Sequence, residues 1–166
     1  MGAMDVWLLR HAEAHDSSRS GRDEDRELTS KGLSRAEAVA RGLASLEPSV
    51  DVVLTSPLIR ARQTAEAAAR ALGTEPPREL AALAPGVAPR RTAEELAAGK
   101  KWNSVLLVGH QPHLGSLIGL LVFGDARREV PLRKAGVAHV SWEPKGGGRL
   151  VAFLPPRILE RLAKRK

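Results

Sequence analysis

The stretch Asp5-Val6-Trp7-Leu8-Leu9-Arg10-His11 decides the fold. Val6 to Leu9 is a short continuous apolar run, the mark of a strand buried on both faces. Arg10-His11 then stands at the carboxyl end of that strand, a pairing suited to phosphate chemistry. The pattern occurs twice more. Val52-Val53-Leu54 leads into Ser56-Pro57-Leu58-Ile59-Arg60-Ala61-Arg62-Gln63-Thr64, and Val105-Leu106-Leu107-Val108 leads into Gly109-His110. Ligands of open α/β sheets bind outside the carboxyl ends of the strands, so Arg10, His11, Arg60 and His110 are expected around one pocket.

The segments between these strands read as helices and turns. Leu33, Ala36, Val39, Ala40 and Leu43 repeat at helical spacing, with Thr29 or Ser34 as the cap. Leu58 to Leu72 is an Ala-rich helix stopped by Gly73, and His15 to Glu27 is a polar loop over the site. Between Pro76-Pro77 and Pro85-Gly86 a short strand is expected at Glu79 to Leu83, then a helix over Thr92 to Ala98. Pro112 to Phe123 forms a helix with His113 in its first turn. Val137 to Trp142 and Leu150 to Leu154 close the sheet as a strand pair joined through Lys145-Gly146-Gly147-Gly148, and Arg157 to Lys166 is a basic amphipathic helix. Strands alternating with helices predict an α/β fold with helices on both faces of a mostly parallel sheet.

At 166 residues and 43% hydrophobic, the chain fits one domain, expected over residues 5–166, with Met1 to Met4 read as an expression scar. It holds no cysteine, which excludes disulfides and thiolate chemistry. No leader-like segment or bilayer-spanning run is evident, so a cytoplasmic protein is expected, without a membrane partner. The net charge of +7 favours anionic partners, but aromatic residues make up only 3% and Tyr is absent, which argues against nucleic acid.

The residue types define a phosphoryl-transfer site. A neutral imidazole can attack phosphorus in line with the leaving group, and neighbouring cations disfavour imidazolium, so His11 is the candidate nucleophile. Arg10 and Arg60 can clamp the phosphoryl oxygens through planar, permanently charged forks. His110 can donate a hydrogen bond to the same group. Arg62, two positions from Arg60 on the same helix, points elsewhere. No further ligands at zinc-like spacing accompany His110 and His113, so no metal is expected. His15 and His139 read as surface or satisfied core histidines, and Asp23 and Asp25 either as aids to a proton transfer or, as is usual for a charge run in a loop, as solvated charges.

These motifs resemble the histidine phosphatase superfamily, whose phosphoglycerate mutase-like members carry an Arg-His-Gly motif, a second Arg and a second His. Arg26-Glu27-Leu28-Thr29-Ser30-Lys31-Gly32 and the Ser56 to Thr64 segment are most similar to the SixA-type phosphohistidine phosphatases. The resemblance implies a single-domain three-layer αβα sandwich, catalysis through a phosphohistidine intermediate on His11, and no cofactor. It also places Arg26 near the pocket rim as a weaker phosphate ligand.

Two departures matter. Ala12 stands where the motif has Gly, and no Glu-bearing motif lies between Arg60 and His110, where only Glu79 is available as an acid. Imidazole leaves from phosphorus far more readily than an alkoxide, so the missing acid favours phosphohistidine as substrate. The expected enzyme is a monomeric phosphatase acting on a phosphorylated histidine phosphotransfer or phosphocarrier protein in signal transduction or sugar uptake. The alternatives are a small-molecule phosphomonoesterase and a non-catalytic phosphoprotein-binding module.

Overall fold

Strand β1 (Met4–Arg10) lies inside a six-stranded sheet, between β4 (Ser104–Gly109) and β5 (Val137–Glu143). The computed structural model describes residues 2–98 and 102–165. Strands β2 (Val52–Thr55) and β3 (Arg78–Glu79) extend the sheet beyond β4, and β6 (Gly147–Leu154) closes the far edge in the order β3-β2-β4-β1-β5-β6. The first four strands are mutually parallel, and β5 runs antiparallel to both neighbours. The expected mixed α/β fold is what forms.

Alternation along β1 builds two cores, because successive side chains leave opposite faces of a strand. Trp7 and Leu9 join a cluster formed with α1 (Ser30–Ala44), α2 (Ile59–Leu72) and α5 (Pro156–Ala163). Val6 and Leu8 join a second cluster on the other face, under α3 (Pro89–Ala98) and α4 (His113–Phe123). Val105 to Val108 are buried throughout, which explains their unbroken apolar run.

Thr29, not Ser34, caps α1: its hydroxyl accepts from the Gly32 N–H at 2.9 Å. Leu33, expected in the core, is 40% exposed. The inward stripe is Gly32, Ala36, Val39, Ala40 and Leu43, and Leu33 sits one helical step away from it. Gly32 is required because a Cβ there would collide with the Glu13 carbonyl just beyond β1.

The strand expected at Glu79 to Leu83 is corrected. Only Arg78 and Glu79 pair, with Leu54 and Thr55 of β2, and Ala81–Leu83 turn into a 3-10 helix. That turn buries Ala82 and Leu83, which an extended edge strand would direct to opposite sides. Helix α3 begins at Pro89, earlier than Thr92, since proline is well placed in a first turn. The final helix ends at Ala163, and Lys166 of the expected tail lies outside the described residues. Among the described residues no helix is long and apolar enough to cross a membrane.

Candidate active site

Three strand ends meet in one cavity of about 280 Å³. Arg10 comes from the end of β1, with His11 directly after it, Arg60 comes from the first turn of α2 beyond β2, and His110 follows β4. Parallel pairing sets this convergence: Arg10 is opposite Gly109, the His11 N–H donates to the Gly109 carbonyl at 3.0 Å, and the Ser56 N–H donates to the Val108 carbonyl at 3.0 Å. The two histidine rings stand 5.1 Å apart, tilted by 56°.

His11 has a defined tautomer. Its Nδ1 lies 2.7 Å from the Ala12 carbonyl oxygen, which can only accept, so Nδ1 carries the proton and Nε2 keeps its lone pair. Burial, reinforced by Arg60, Arg10 and Lys134, pushes the His11 pKa down to about 4, against the opposing pull of the Ala12 carbonyl. The ring is therefore neutral at physiological pH.

His110 is also neutral: burial first, then His11 and Arg60, lower its pKa to about 3. Its Nε2 is 2.7 Å from Ser56 Oγ. Ser56 Oγ also accepts from the Leu58 N–H at 3.3 Å, so the hydroxyl ties His110 to the start of α2. His110 Nδ1 is buried and has no hydrogen-bond partner among the described residues, and neither have the Nε atoms of Arg10 and Arg60. An unpaired buried donor costs about 1–3 kcal/mol.

The cations are held from behind. Arg10 Nη1 donates to the Leu132 carbonyl at 3.0 Å, while the Ala135 N–H donates to the Arg10 carbonyl at 3.0 Å and the Arg10 N–H to the Gly136 carbonyl at 3.1 Å. Ala135 is fully buried with φ +60°, a left-handed conformation that only packing from all sides maintains for a residue with a Cβ. This brace presents the neighbouring Lys134 to the cavity.

The Ser56 to Thr64 segment contributes more than Arg60. Thr64 Oγ1 donates to the Arg60 carbonyl at 2.8 Å and accepts from the Ala12 N–H at 3.2 Å, linking α2 to the residue after His11. Gln63 Oε1 accepts from the Leu28 N–H at 2.7 Å and fixes the end of the polar loop. These three polar roles of Ser56, Gln63 and Thr64 escape sequence reasoning, although the residues stand in the motif.

Arg62 is exposed and lines a different cavity, together with Glu79. Arg26 lies at the pocket, its Nε donating to Asp23 Oδ1 at 2.9 Å and its Nη1 to the His15 carbonyl at 2.7 Å. Asp23 corrects the solvated reading: it reaches into the cavity and engages Arg60, whose Nη1 donates to its carbonyl oxygen at 2.8 Å and Nη2 to its Oδ2 at 3.0 Å. Arg26 and Arg60 hold its carboxyl below the usual range. Asp16 and Lys134 also line the cavity, and neither has a sequence signal beyond its charge. His113 spends its ring nitrogens on Thr92 Oγ1 and the Val87 carbonyl, and His139 stacks on Trp7 and bonds Asp5.

Residues 6–84 match the family model of the histidine phosphatase superfamily, branch 1. An uncharacterized protein of Picosynechococcus sp. is 38% identical over 141 residues, spanning 81% of this chain and 82% of its own. The phosphohistidine phosphatase SixA of Escherichia coli is 29% identical over 148 residues, spanning 87% of this chain and 89% of its own. A structure of the protein histidine phosphatase SixA complexed with tungstate superposes with a TM-score of 0.85 at 26% identity, over 94% of this chain and 99% of that one.

Proposed function

Since the chain belongs to the histidine phosphatase superfamily and is a phosphatase, we propose that it hydrolyses phosphohistidine carried on a protein, with His11 as the nucleophile. The observation that carries this reading is the His11 tautomer, with a neutral ring, a free Nε2 lone pair and cations around it.

In the first step Nε2 attacks phosphorus as the P–N bond to the substrate imidazole breaks, and the departing imidazole takes a proton from solvent. Arg10 and Arg60 neutralise the oxygens of the transferring group, Arg26 assists from the rim, and the His110 imidazole donates to it. Water then attacks the phosphorylated His11, which releases inorganic phosphate and restores the free imidazole. The scheme requires neither metal nor organic cofactor.

The substrate class follows from the acids available. Glu79 lies outside the cavity, Asp23, held ionised by two arginines, is a poor proton donor, and Asp16, the other carboxylate of the lining, is exposed to solvent. Imidazole leaves without strong acid assistance, whereas a sugar alkoxide does not. SixA of Escherichia coli carries the name of the same activity.

The test measures phosphate release from a phosphorylated histidine phosphocarrier protein against a panel of sugar and nucleotide phosphates. The protein substrate is expected to give the highest kcat/KM. A sugar or nucleotide phosphate turned over faster would move the assignment to a small-molecule phosphomonoesterase, and no release from any would leave a binding module.

A further inference from the structure

Asp23 stands where an incoming anion must bind. Its two carboxylate oxygens bridge two arginines, Oδ2 accepting from Arg60 Nη2 at 3.0 Å and Oδ1 from Arg26 Nε at 2.9 Å. Its backbone carbonyl takes Arg60 Nη1 as well, so both terminal nitrogens of the buried guanidinium are already engaged. Two oxygens on one atom, each facing a guanidinium, is the arrangement a phosphoryl group would adopt between the same side chains.

The two partners differ in freedom. The Arg60 side chain is 6% exposed and locked in α2, whereas that of Asp23 is 63% exposed and sits on a single 3-10 turn, Asp23–Asp25, within the polar loop. Arg60 cannot leave its position, but the carboxylate can rotate into water. An exposed carboxylate loses little on leaving, whereas a buried guanidinium left without an anion loses much. Exchange of anions on a fixed cation is therefore the lowest-cost route into the site. Arg26 also gains by it: its Nε is freed while Nη1 remains tied to the His15 carbonyl, which leaves the guanidinium on the rim.

We propose that Asp23 is an internal anion that occupies the Arg60 and Arg26 donors until a phosphoryl group displaces it, and so sets the affinity of the site for phosphoryl ligands. The inference rests on the reading that Arg60 binds the phosphoryl group. Asp23 acts here as a specificity residue: its carboxylate competes with weakly charged ligands and yields to a phosphoryl dianion.

Titration calorimetry with inorganic phosphate on the full chain tests this. Asp23→Ala and Asp23→Asn are expected to bind phosphate about fivefold more tightly than the unsubstituted protein, the factor for loss of an ion pair near 1 kcal/mol. Asp25→Asn is the control, because Asp25 bonds Ser20 and not Arg60, and its affinity is expected to be unchanged. Unchanged or weaker binding in both Asp23 variants would overturn the proposal and make Asp23 a brace for Arg60. Arg60→Ala separates the two levels. If it abolishes phosphate binding while the Asp23 variants fail to tighten, only the displacement falls; if it leaves phosphate binding intact, the assignment of Arg60 falls as well.

Discussion

Helix α2 sends two arginines, Arg60 and Arg62, into two different cavities, and the contrast separates chemistry from surface. The cavity reached by Arg62 is the larger, at about 500 Å³ against 280 Å³, and contains Glu66, Arg70 and Glu79. None of those four side chains is fixed by a hydrogen bond or ion pair among the described residues, and all are exposed. In the smaller cavity Arg60 is 5% exposed and its backbone is tied through Thr64 to Ala12 beside His11. Fixed donors, not volume, distinguish the proposed reacting centre. A fixed donor stabilises developing charge without reorganising, whereas a mobile one must be ordered first.

The contrast breaks most directly at His11. His11→Ala is expected to lower kcat by about 10⁴-fold or more, as removal of a nucleophile does, and to abolish phosphoryl labelling of the protein in rapid-quench experiments. Label retained in that variant would place the nucleophile elsewhere. Next comes the arginine pair: Arg60→Ala is expected to lose about 2–4 kcal/mol of transition-state stabilisation. Arg62→Ala is expected to stay within about 0.5 kcal/mol in activity and stability. The reverse order, with both proteins folded, would show that the exposed cavity is the functional one.

Acidity sharpens the comparison, because both site histidines have lowered pKa values. A neutral nucleophile with a pKa of about 4 keeps its lone pair well below pH 6.5. The acid limb of kcat/KM is therefore expected near pH 4, measured with an acid-stable aryl phosphate and corrected for the substrate's own ionisation. Stability has the opposite sign. The unfolded chain takes up protons at these histidines below about pH 6.5 while the folded chain does not, so denaturant midpoints are expected to fall as pH drops from 6.5 to 4. An acid limb at 6.5 would mean that His11 is not shielded.

The smaller effects lie one shell out and in the other cavity. Ser56→Ala removes the partner that orients His110 and is expected to lower kcat by up to about tenfold, the worth of about 0.5–1.5 kcal/mol in one hydrogen bond. Glu79→Gln is expected to change nothing across a series of leaving groups from imidazole to alkoxide. A slope against leaving-group basicity that steepens in Glu79→Gln would make Glu79 the acid and join the two cavities.

The strand ends were legible because their signal is local: apolar runs followed by Arg-His, Ser-Pro and Gly-His place Arg10, His11, Arg60 and His110 without knowledge of the packing. Asp23 was not legible for the opposite reason. A carboxylate in a polar loop looks solvated until a residue distant in sequence faces it, and its spacing of three from Arg26 was the one available hint. Lys134 depends on the brace around Ala135, whose left-handed backbone leaves no mark at an alanine. Leu33 was misplaced because helical periodicity gives the angle between apolar positions but not which one faces inward. The true inward position is glycine, silent on a hydrophobic scale. The stretch Glu79 to Leu83 failed as a strand because its alanines and leucines suit a turn of helix as well as an extended chain.

The order of strands also constrains how the molecule is made. The first strand, β1, has β4 and β5 as its two neighbours, and both lie in the later part of the chain. During synthesis Val6 to Leu9 must wait, unpaired and apolar, until their β4 partners, 99 residues further along the chain, have left the ribosome. Topologies dominated by such distant pairings fold slowly and leave apolar segments exposed meanwhile. The same delay applies to the candidate site: His110 arrives with β4, so the proposed set of Arg10, His11, Arg60 and His110 is brought together only then.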